Sequence, residues 1–338
     1  MTHLGIDAGG TSTRAVVVDP AGHCLGHGRS GSGNPISSGP HVAAASLREA
    51  AEQALAQAGL PGSAVGSTSV AMAGGSRIAE DDEVAATIGG ALLAAGVHAS
   101  LAVEPDLLAL YFSGTHEPSG YALVAGTGAA AVRVVEGEVV ATCDGLGWLL
   151  GDGGSGFWIG REVVRAVCAD LDGRGPSTAL TPLLLDAAPG TDPDTAEPLA
   201  PGGGRAPALP HLVRQLYAVP PVHLARFAPL AFAAVDSADD EVAADIIARA
   251  GASLTRTLAA VLLPDLDGPV VLGGGVLVSQ GLVGDVVRAS LVATRRRAPV
   301  VAVTDGLVGA AVLALRRSGV TVDAATFATV TDSLARLR

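Results

Sequence analysis

A glycine turn directly follows an apolar strand in Gly5-Ile6-Asp7-Ala8-Gly9-Gly10-Thr11-Ser12-Thr13, and the predicted architecture starts from this pattern. A β-branched strand at 14–19, a Pro-Ala-Gly turn and a third strand near 23–28 come next, which predicts a β-meander followed by a loop at 30–40. The same order returns in the second half, where Ala125-Gly126-Thr127-Gly128 follows the apolar residues 121–124. This weak internal repeat predicts a duplicated domain with two glycine turns in matched positions.

A third glycine turn, Gly273-Gly274-Gly275, follows the apolar strand at 269–272. Glycines after a strand let backbone N–H groups approach a phosphate, because no Cβ stands in the way. All 21 basic residues are arginines, so the sequence excludes a Walker A P-loop and Schiff-base chemistry, which need a lysine. The three turns are therefore the predicted phosphate site. The alternative is that a chain with 45 glycines places such turns by chance.

Helices and strands alternate after the first meander, which predicts an α/β fold with a mixed sheet covered by helices on both faces. We place the domain boundary just before residue 114, which gives an N-terminal domain at 1–113 and a second domain at 114–304. The second domain is predicted to carry a helical insertion at about 155–263. The C-terminal helices at 305–338 could pack back onto the first domain.

The chain has 338 residues, of which 49% are hydrophobic, and a formal net charge of −12. This composition excludes a disordered protein, and the acidic balance argues against nucleic-acid and membrane partners. Without a signal peptide or a long apolar run, the protein is expected to be cytoplasmic. Cys24, Cys143 and Cys168 lie too far apart for a zinc site or a disulfide framework. We expect solvent exposure for the Pro-rich loop at 186–210 and for Arg295-Arg296-Arg297.

These motifs resemble those of the sugar kinase, Hsp70 and actin superfamily over almost the whole chain. Within it, Gly151-Asp152-Gly153-Gly154-Ser155-Gly156-Phe157-Trp158-Ile159-Gly160 resembles the N-acetylglucosamine kinase branch of the BadF/BadG/BcrA/BcrD ATPases. The resemblance implies two actin-like (ribonuclease H-like) domains with mixed five-stranded sheets that close over a cleft, with ATP and Mg²⁺ as cofactors. It makes the first two turns phosphate motifs and the third an adenosine motif. The cofactor-binding residues that it implies are Asp7, Gly9, Gly10, Thr11, Thr13, Gly126, Thr127, Gly128, Gly273, Gly274 and Gly275.

Asp106 follows Glu104-Pro105 and the strand at 99–103, where a helix is predicted to begin. The carboxyl ends of strands line the ligand crevice of an open α/β sheet, so a carboxylate here can accept the proton of an attacking sugar hydroxyl. From the residues alone, a helix N-cap is the alternative. The resemblance places the family's catalytic aspartate here, which favours a general base that also contacts the sugar. Glu104 could supply a second carboxylate, but it is expected to be solvated.

Asp7 ends a strand beside the first turn, and a carboxylate near phosphates suits Mg²⁺ held mostly through water. An Asx-turn at Asp7 is compatible with that role. Arg14 could contact phosphate or lie at the surface. The resemblance further implies sugar contacts for Asn34, Thr127 and Asp152, which supply an amide, a hydroxyl and a carboxylate. A turn-forming Asn-Pro is the alternative for Asn34.

The resemblance therefore implies an ATP-dependent sugar kinase that phosphorylates the 6-hydroxyl of N-acetylglucosamine. Glucosamine and N-acetylmuramic acid are alternative substrates, because Ala129-Ala130 stands where related enzymes often carry a Ser-Asn pair that touches the sugar. A homodimer is expected.

Two other classes of function have less support in the sequence. A BadF-type ATPase that activates a dehydratase would need an iron–sulfur cluster held by closely placed cysteines, which the three separated cysteines do not offer. A sugar-sensing regulator would need a DNA-binding module, and we expect no room for one ahead of the first strand.

Overall fold

The computed structural model describes residues 1–74, 82–188, 205–279, 281–293 and 298–338. The greater part of the loop predicted at 186–210, and all of Arg295-Arg296-Arg297, lie outside the described residues.

Ten strands of the described residues form two mixed five-stranded sheets. The first sheet contains β1 (Thr2–Ala8), β2 (Thr13–Val18), β3 (Cys24–Ser30), β4 (Val65–Met72) and β5 (Ser100–Pro105). The second contains β6 (Gly120–Ala125), β7 (Ala129–Val135), β8 (Glu138–Asp144), β9 (Val270–Gly273) and β10 (Val300–Val303).

The two sheets have the same topology. The first has the order β3-β2-β1-β4-β5 and the second β10-β9-β6-β7-β8. In each sheet an antiparallel meander of three strands continues into two parallel strands beside its first strand. This match confirms the predicted α/β fold with duplicated, mixed five-stranded sheets.

Helices cover both faces of each sheet. In the first half they are α1 (Pro35–Ser38), α2 (Pro40–Ala58), α3 (Asp82–Ala94) and α4 (Asp106–Gly114). The helices that follow β8 are α5 (Gly156–Leu171), α6 (Leu180–Ala187), α7 (Ala208–Tyr217), α8 (Ala228–Ala238) and α9 (Glu241–Ala259). The last four are α10 (Gly275–Val278), α11 (Leu282–Ala293), α12 (Leu307–Arg317) and α13 (Ala324–Leu337).

Three apolar cores hold these layers together. Helices α2 and α3 cover the outer face of the first sheet, and α5 to α9 cover that of the second. The third core lies between the sheets, where α4, α12 and α13 meet side chains of β2 and β4 from one sheet and β6, β7 and β9 from the other. Burial of apolar surface in this middle layer joins the two halves of the chain.

Helix α12 lies very close to its neighbours in the middle layer. A Cβ added to Gly5 of β1 would lie 2.5 Å from the Ala310 carbonyl group. A Cβ added to Gly309 would overlap the carbonyl oxygen of Ala109 in α4. Only glycine fits at these two crossings, so the sequence allows α12 to contact both the first strand and α4 at backbone distance.

Local signals in the sequence account for several element ends. Gly59 ends α2 in the left-handed conformation, at a φ of 66°. Glu136 and Gly137 form the hairpin turn between β7 and β8 with φ values of 53° and 85°. The loop predicted at 30–40 contains the short helix α1, and β5 extends to Pro105. The domain boundary near residue 114 stays a prediction.

Candidate active site

The first glycine turn joins β1 to β2 at the carboxyl end of β1. The Gly9 N–H donates to the Ser12 carbonyl oxygen at 3.0 Å and closes the turn, whereas Gly10 and Thr11 are exposed. Thr13 is fully buried, and its hydroxyl donates to the Gly31 carbonyl oxygen at 2.9 Å. Gly10 and Thr11 are therefore the accessible part of the turn. The Thr13 side chain anchors the next loop, and its contact with phosphate stays a prediction.

Asp7 is buried beside this turn and is contacted from two sides. The Gly306 N–H donates to Asp7 Oδ2 at 3.1 Å, and Arg14 Nη1 lies 3.5 Å from the same oxygen. Burial, and then the charge of Asp305, raise the pKa of Asp7 to about 6, against the attraction of Arg14. The carboxylate is thus mostly ionised above neutral pH, where it can attract a cation.

The sequence reasoning missed Asp305, which lies just after the carboxyl end of the last strand of the second sheet. Its Oδ1 accepts hydrogen bonds from the Leu307 N–H at 3.0 Å and from Arg338 Nη2 at 2.9 Å. Its Oδ2 lies 4.0 Å from Arg14 Nε. Burial acts to raise the pKa of Asp305, but these hydrogen bonds and cations hold it below its usual value. Arg14 therefore bridges Asp7 of the first sheet and Asp305. The sequence signal that could have revealed Asp305 is its Asp-Gly pair after a strand.

Asp106 is the first residue of α4, directly after β5. Pro105 holds the N-cap position, and Asp106 Oδ1 accepts a hydrogen bond from the Leu107 N–H at 2.9 Å. Burial raises the pKa of Asp106, although bonds from backbone N–H groups oppose the shift. A carboxylate of raised pKa is a stronger base than one of ordinary pKa. Ala8 pairs with Met72 and Met72 pairs with Pro105, so Asp7 and Asp106 lie at the same edge of the first sheet.

Glu104 corrects one expectation from the sequence. Its side chain is buried, and both of its oxygens accept hydrogen bonds from Arg317, at 2.6 and 3.0 Å. The expected solvation of Glu104 is therefore wrong. The pattern of β5 gave no sign of it, because the partner lies 213 residues further along the chain.

The start of helix α5 and the side chain of Asp152 form hydrogen bonds with the second glycine turn and the residue after it. The Gly156 N–H donates to the Gly126 carbonyl oxygen at 2.7 Å, and the Phe157 N–H donates to that of Thr127 at 3.1 Å. Asp152 Oδ1 accepts the Ala129 N–H at 3.0 Å, next to Gly128. The exposed residue of the turn is Thr127.

Asp152 is supported in its turn by Asp144. The Asp144 carboxylate accepts the N–H groups of Asp152 at 2.8 Å and Gly153 at 3.2 Å. Asp144 and Asp152 have positive φ, 64° and 59° respectively, which aspartate tolerates better than most residues. Burial is the main reason that the pKa of Asp152 is raised, and Asp144 adds to it. Asp144 was missed as a site residue, because its role depends on folding of the following loop.

The third glycine turn packs directly on the second. A Cβ added to Gly274, whose φ is 86°, would overlap the Ala125 carbonyl oxygen and would lie 2.7 Å from the Gly126 nitrogen. Gly273 is buried against Leu110, whereas Gly275 is exposed. A Cβ added to Gly126 or Gly275 would meet no atom within 4 Å. The two turns thus border open space, and nucleotide binding there stays a prediction.

Asn34 lies beside the first turn. The Gly33 N–H donates to the Gly9 carbonyl oxygen at 3.0 Å, which fixes the loop against the turn. The Asn34 carbonyl oxygen accepts the N–H and hydroxyl of Ser38, at 3.1 and 2.9 Å, and so begins α1. The Asn34 side chain is half-buried, and its contact with a sugar stays a prediction.

The predicted site residues form two groups. Asp7, the first turn, Asn34 and Asp106 lie together on the first sheet, and the second and third turns lie together with Asp152 on the second sheet. The pair Asp7 and Asp305, held by Arg14, links the carboxyl ends of β1 and β10. The chemistry of the two groups suits phosphates at the turns and a proton acceptor at Asp106.

The carboxylates fit Mg²⁺ held largely by other oxygens. Among the described residues, no group of three or more His, Cys, Asp or Glu side chains could enclose a metal ion. Mg²⁺ in phosphate sites usually keeps several waters and binds one or two carboxylates with the phosphates. Asp7 meets that requirement, and Asp305 stands next to it.

The topology and the paired turns define an actin-like ATPase fold. The model of the BadF/BadG/BcrA/BcrD ATPase family matches residues 4–314, and the chain belongs to that family. The fold is shared with a Chromobacterium violaceum protein described as a candidate N-acetylglucosamine kinase, at a TM-score of 0.70 and 24% identity over 92% of this chain and 97% of that one. It is also shared with a ROK hexokinase from Thermus thermophilus, at a TM-score of 0.53 and 21% identity over 94% and 100% of the two chains.

Two curated relatives are similar in sequence. One is the N-acetyl-D-glucosamine kinase of Dictyostelium discoideum, 30% identical over 191 residues. The other is the glucosamine kinase GspK of Vibrio cholerae, 30% identical over 189 residues. Each match covers 54% of this chain, and it spans 59% and 60%, respectively, of the two relatives. In the part of the chain that the structure describes, no helix is long and apolar enough to cross a membrane.

Proposed function

We propose that the protein is an ATP-dependent amino sugar kinase that transfers the γ-phosphoryl group of ATP to the 6-hydroxyl of N-acetylglucosamine. The observation that carries the proposal is the placement of Asp106, a half-buried carboxylate, at the same edge of the first sheet as Asp7 and the first glycine turn. Phosphoryl transfer needs a positioned proton acceptor and donors for the phosphate oxygens, and this arrangement supplies both.

In this proposal the chain positions both substrates without a lysine. The exposed residues of the first two turns, Gly10, Thr11 and Thr127, bind phosphate oxygens through backbone N–H groups and hydroxyls. The third turn borders the adenosine. Mg²⁺, when bound near Asp7, neutralises charge on the phosphates.

Asp106 acts on the sugar. Its carboxylate accepts the proton of the 6-hydroxyl as the hydroxyl oxygen attacks the γ-phosphorus, and ADP leaves. Burial favours this step, because the protonated form of Asp106 is stabilised where the pKa is raised. Asn34, Thr127 and Asp152 are the proposed partners of the other sugar groups. The amino sugar and ATP are the partners of the proposal, and a homodimer stays a prediction.

Which substituent the substrate carries on its amino nitrogen is a separate part of the proposal. Ala129 and Ala130 are buried in β7, so their side chains pack in the protein and leave recognition of the sugar to other residues. N-acetylglucosamine is the first choice, with glucosamine and N-acetylmuramic acid as alternatives. The two curated relatives, named for N-acetylglucosamine and for glucosamine, support this short list.

An ADP-release assay over a hexosamine panel tests the proposal. We expect release that depends on N-acetylglucosamine and Mg²⁺, and a phosphorus NMR signal of a 6-phosphate product. Faster ADP release with glucosamine or N-acetylmuramic acid would identify that sugar as the preferred substrate and would leave the kinase proposal unchanged. If no member of the panel stimulates ADP release, the kinase proposal is wrong.

A further inference from the structure

Arg317, the last residue of α12, contacts the edge strands of both sheets. Its Nε and Nη2 donate to Glu104 of β5 at 2.6 and 3.0 Å. Its Nη1 lies 3.3 Å from Glu138 Oε1, at the start of β8. Strands β5 and β8 each have a single neighbour in their sheets, β4 and β7. One arginine in the middle layer therefore joins the two sheets at strands that are otherwise held from one side.

The contact with Glu104 is the stronger of the two. Glu104 is the one fully buried residue of β5, with 5% of its side chain exposed, and its bidentate pair with Arg317 satisfies both carboxylate oxygens. Removing Arg317, whose side chain is 41% exposed, leaves the buried Glu104 carboxylate without its partner, which is unfavourable. The Glu138 side chain is 62% exposed, so water screens its attraction to Arg317.

Glu104 lies close in sequence to the proposed base, Asp106. Glu104 precedes Asp106 by two residues, and β5 passes directly into α4 at Asp106. Helix α12 also contacts α4, where the Gly309 N–H donates to Ser113 Oγ at 2.8 Å. The segments on both sides of Asp106 are thus attached to the same helix, β5 through Arg317 and α4 through Gly309.

We propose that Arg317 is a positioning residue for Asp106: its bidentate pair with buried Glu104 fixes the end of β5 and so the place of the Asp106 carboxylate. The inference rests on the proposed role of Asp106 as general base. Arg317 acts through Glu104, at a distance from the reacting atoms, so it determines kcat through geometry.

Four variants test the inference: Arg317→Met, Arg317→Lys, the double variant Glu104→Met with Arg317→Met, and Glu138→Gln. Each is measured for kcat and KM, for its unfolding midpoint in urea, and for amide hydrogen exchange at Leu107, whose N–H bonds to Asp106. Glu138→Gln is the matched control, because it alters the exposed partner of the same arginine.

We expect Arg317→Met to lower both the unfolding midpoint and kcat, the latter by tenfold or more. The double variant removes the uncompensated carboxylate from the buried position 104, so stability should recover relative to Arg317→Met. Its kcat should nevertheless stay at least tenfold low, and exchange at Leu107 should stay fast. Arg317→Lys keeps the charge but loses the bidentate geometry, so kcat falls about threefold to tenfold with KM for ATP unchanged. Glu138→Gln stays within twofold of the wild type.

Recovery of both stability and kcat in the double variant would show a purely structural role and overturn the inference. Where the methionine variants do not fold, an unchanged kcat and unchanged Leu107 exchange in Arg317→Lys overturn it. If the wild-type protein phosphorylates no hexosamine, the proposed function fails separately. Exchange at Leu107 then still decides whether Arg317 holds the segment that contains Asp106.

Discussion

The backbone N–H of Gly306 donates a 3.1 Å hydrogen bond to the carboxylate of Asp7, which joins the connection after β10 to the end of β1. A Cβ at Gly306 would lie 3.0 Å from Asp7 Oδ1, so the approach leaves little room for a larger residue. Together with Arg14 and Asp305, this bond places a carboxylate of raised pKa at the edge where the phosphate turn begins.

The first prediction concerns the pH dependence of stability. Burial raises the pKa of Asp7 from 3.8 to about 6, so the folded protein holds this proton more tightly than the unfolded chain does. The contribution of Asp7 to the free energy of unfolding therefore decreases as pH rises from about 4 to about 6, by up to about 3 kcal/mol, and stays low above that range. Asp7→Asn should be more stable than the wild type at pH 8, with a smaller difference at pH 5.

Urea unfolding at both pH values checks this sign. The amide oxygen introduced by Asp7→Asn can still accept the Gly306 N–H, so the charge is the main change. An Asp7→Asn variant that is less stable than the wild type at pH 8 would contradict the assignment of the raised pKa to Asp7.

A second prediction concerns the proposed base. Asp106→Asn keeps an acceptor for the Leu107 N–H but cannot take a proton, so kcat should fall by about 10²- to 10⁴-fold with little change in the unfolding midpoint. Steady-state ADP release and urea unfolding measure the two effects. Asp323→Asn, which retains the N-cap of α13, is the matched control. Turnover within twofold of the wild type would exclude Asp106 as the base.

A third prediction separates backbone strain from contact at the third turn. Gly274 has φ 86° and ψ 149°, and Gly39 has almost the same conformation, φ 83° and ψ 153°. A Cβ at Gly39 meets no atom within 4 Å, whereas one at Gly274 would overlap the carbonyl group of Ala125. Alanine at either position should cost about 1–3 kcal/mol of strain.

Gly274→Ala should also displace the second turn, so its KM for ATP should rise tenfold or more, while Gly39→Ala keeps the KM of the wild type. Unfolding in urea and ATP titrations of ADP release make the comparison. Equal KM values for the two variants would show that the contact between the turns has no role in binding ATP.

A fourth prediction concerns the support of Asp152. Asp144→Ala leaves the N–H groups of Asp152 and Gly153 without their acceptor, so the KM for the hexosamine should rise about tenfold and that for ATP much less. Asp144→Asn tolerates the positive φ and keeps one acceptor, so its effect should be intermediate. Steady-state titrations of each substrate give the two constants. Equal changes in both KM values would mean that Asp144 supports the whole second turn rather than the sugar side.

Local sequence signals predicted the parts of the fold that depend on neighbouring residues. Glycine directly after an apolar strand marked all three turns, and Gly59 marked the end of α2. The repeated meander predicted the matching sheets, because strand alternation and turn residues are both short-range features.

The parts that escaped prediction depend on residues far apart in the chain. Glu104 was expected to be solvated, because nothing near β5 reveals that α12 brings Arg317 against it. The hydrogen bond from the Thr13 hydroxyl to Gly31 was not foreseen either, because it is set by the path of the following loop; contact of Thr13 with phosphate stays a prediction. Asp305 could have been found from its Asp-Gly pair after an apolar strand, a pattern that also marks ordinary turns.

The close approach of Gly5 to Ala310 bears on how the protein matures. The ribosome makes the first strand some three hundred residues before the helix that covers its inner face. The second sheet and most of its helices are synthesised before that helix. The first sheet is therefore translated before the second but completed after it, and until then it exposes an apolar surface that chaperones can bind.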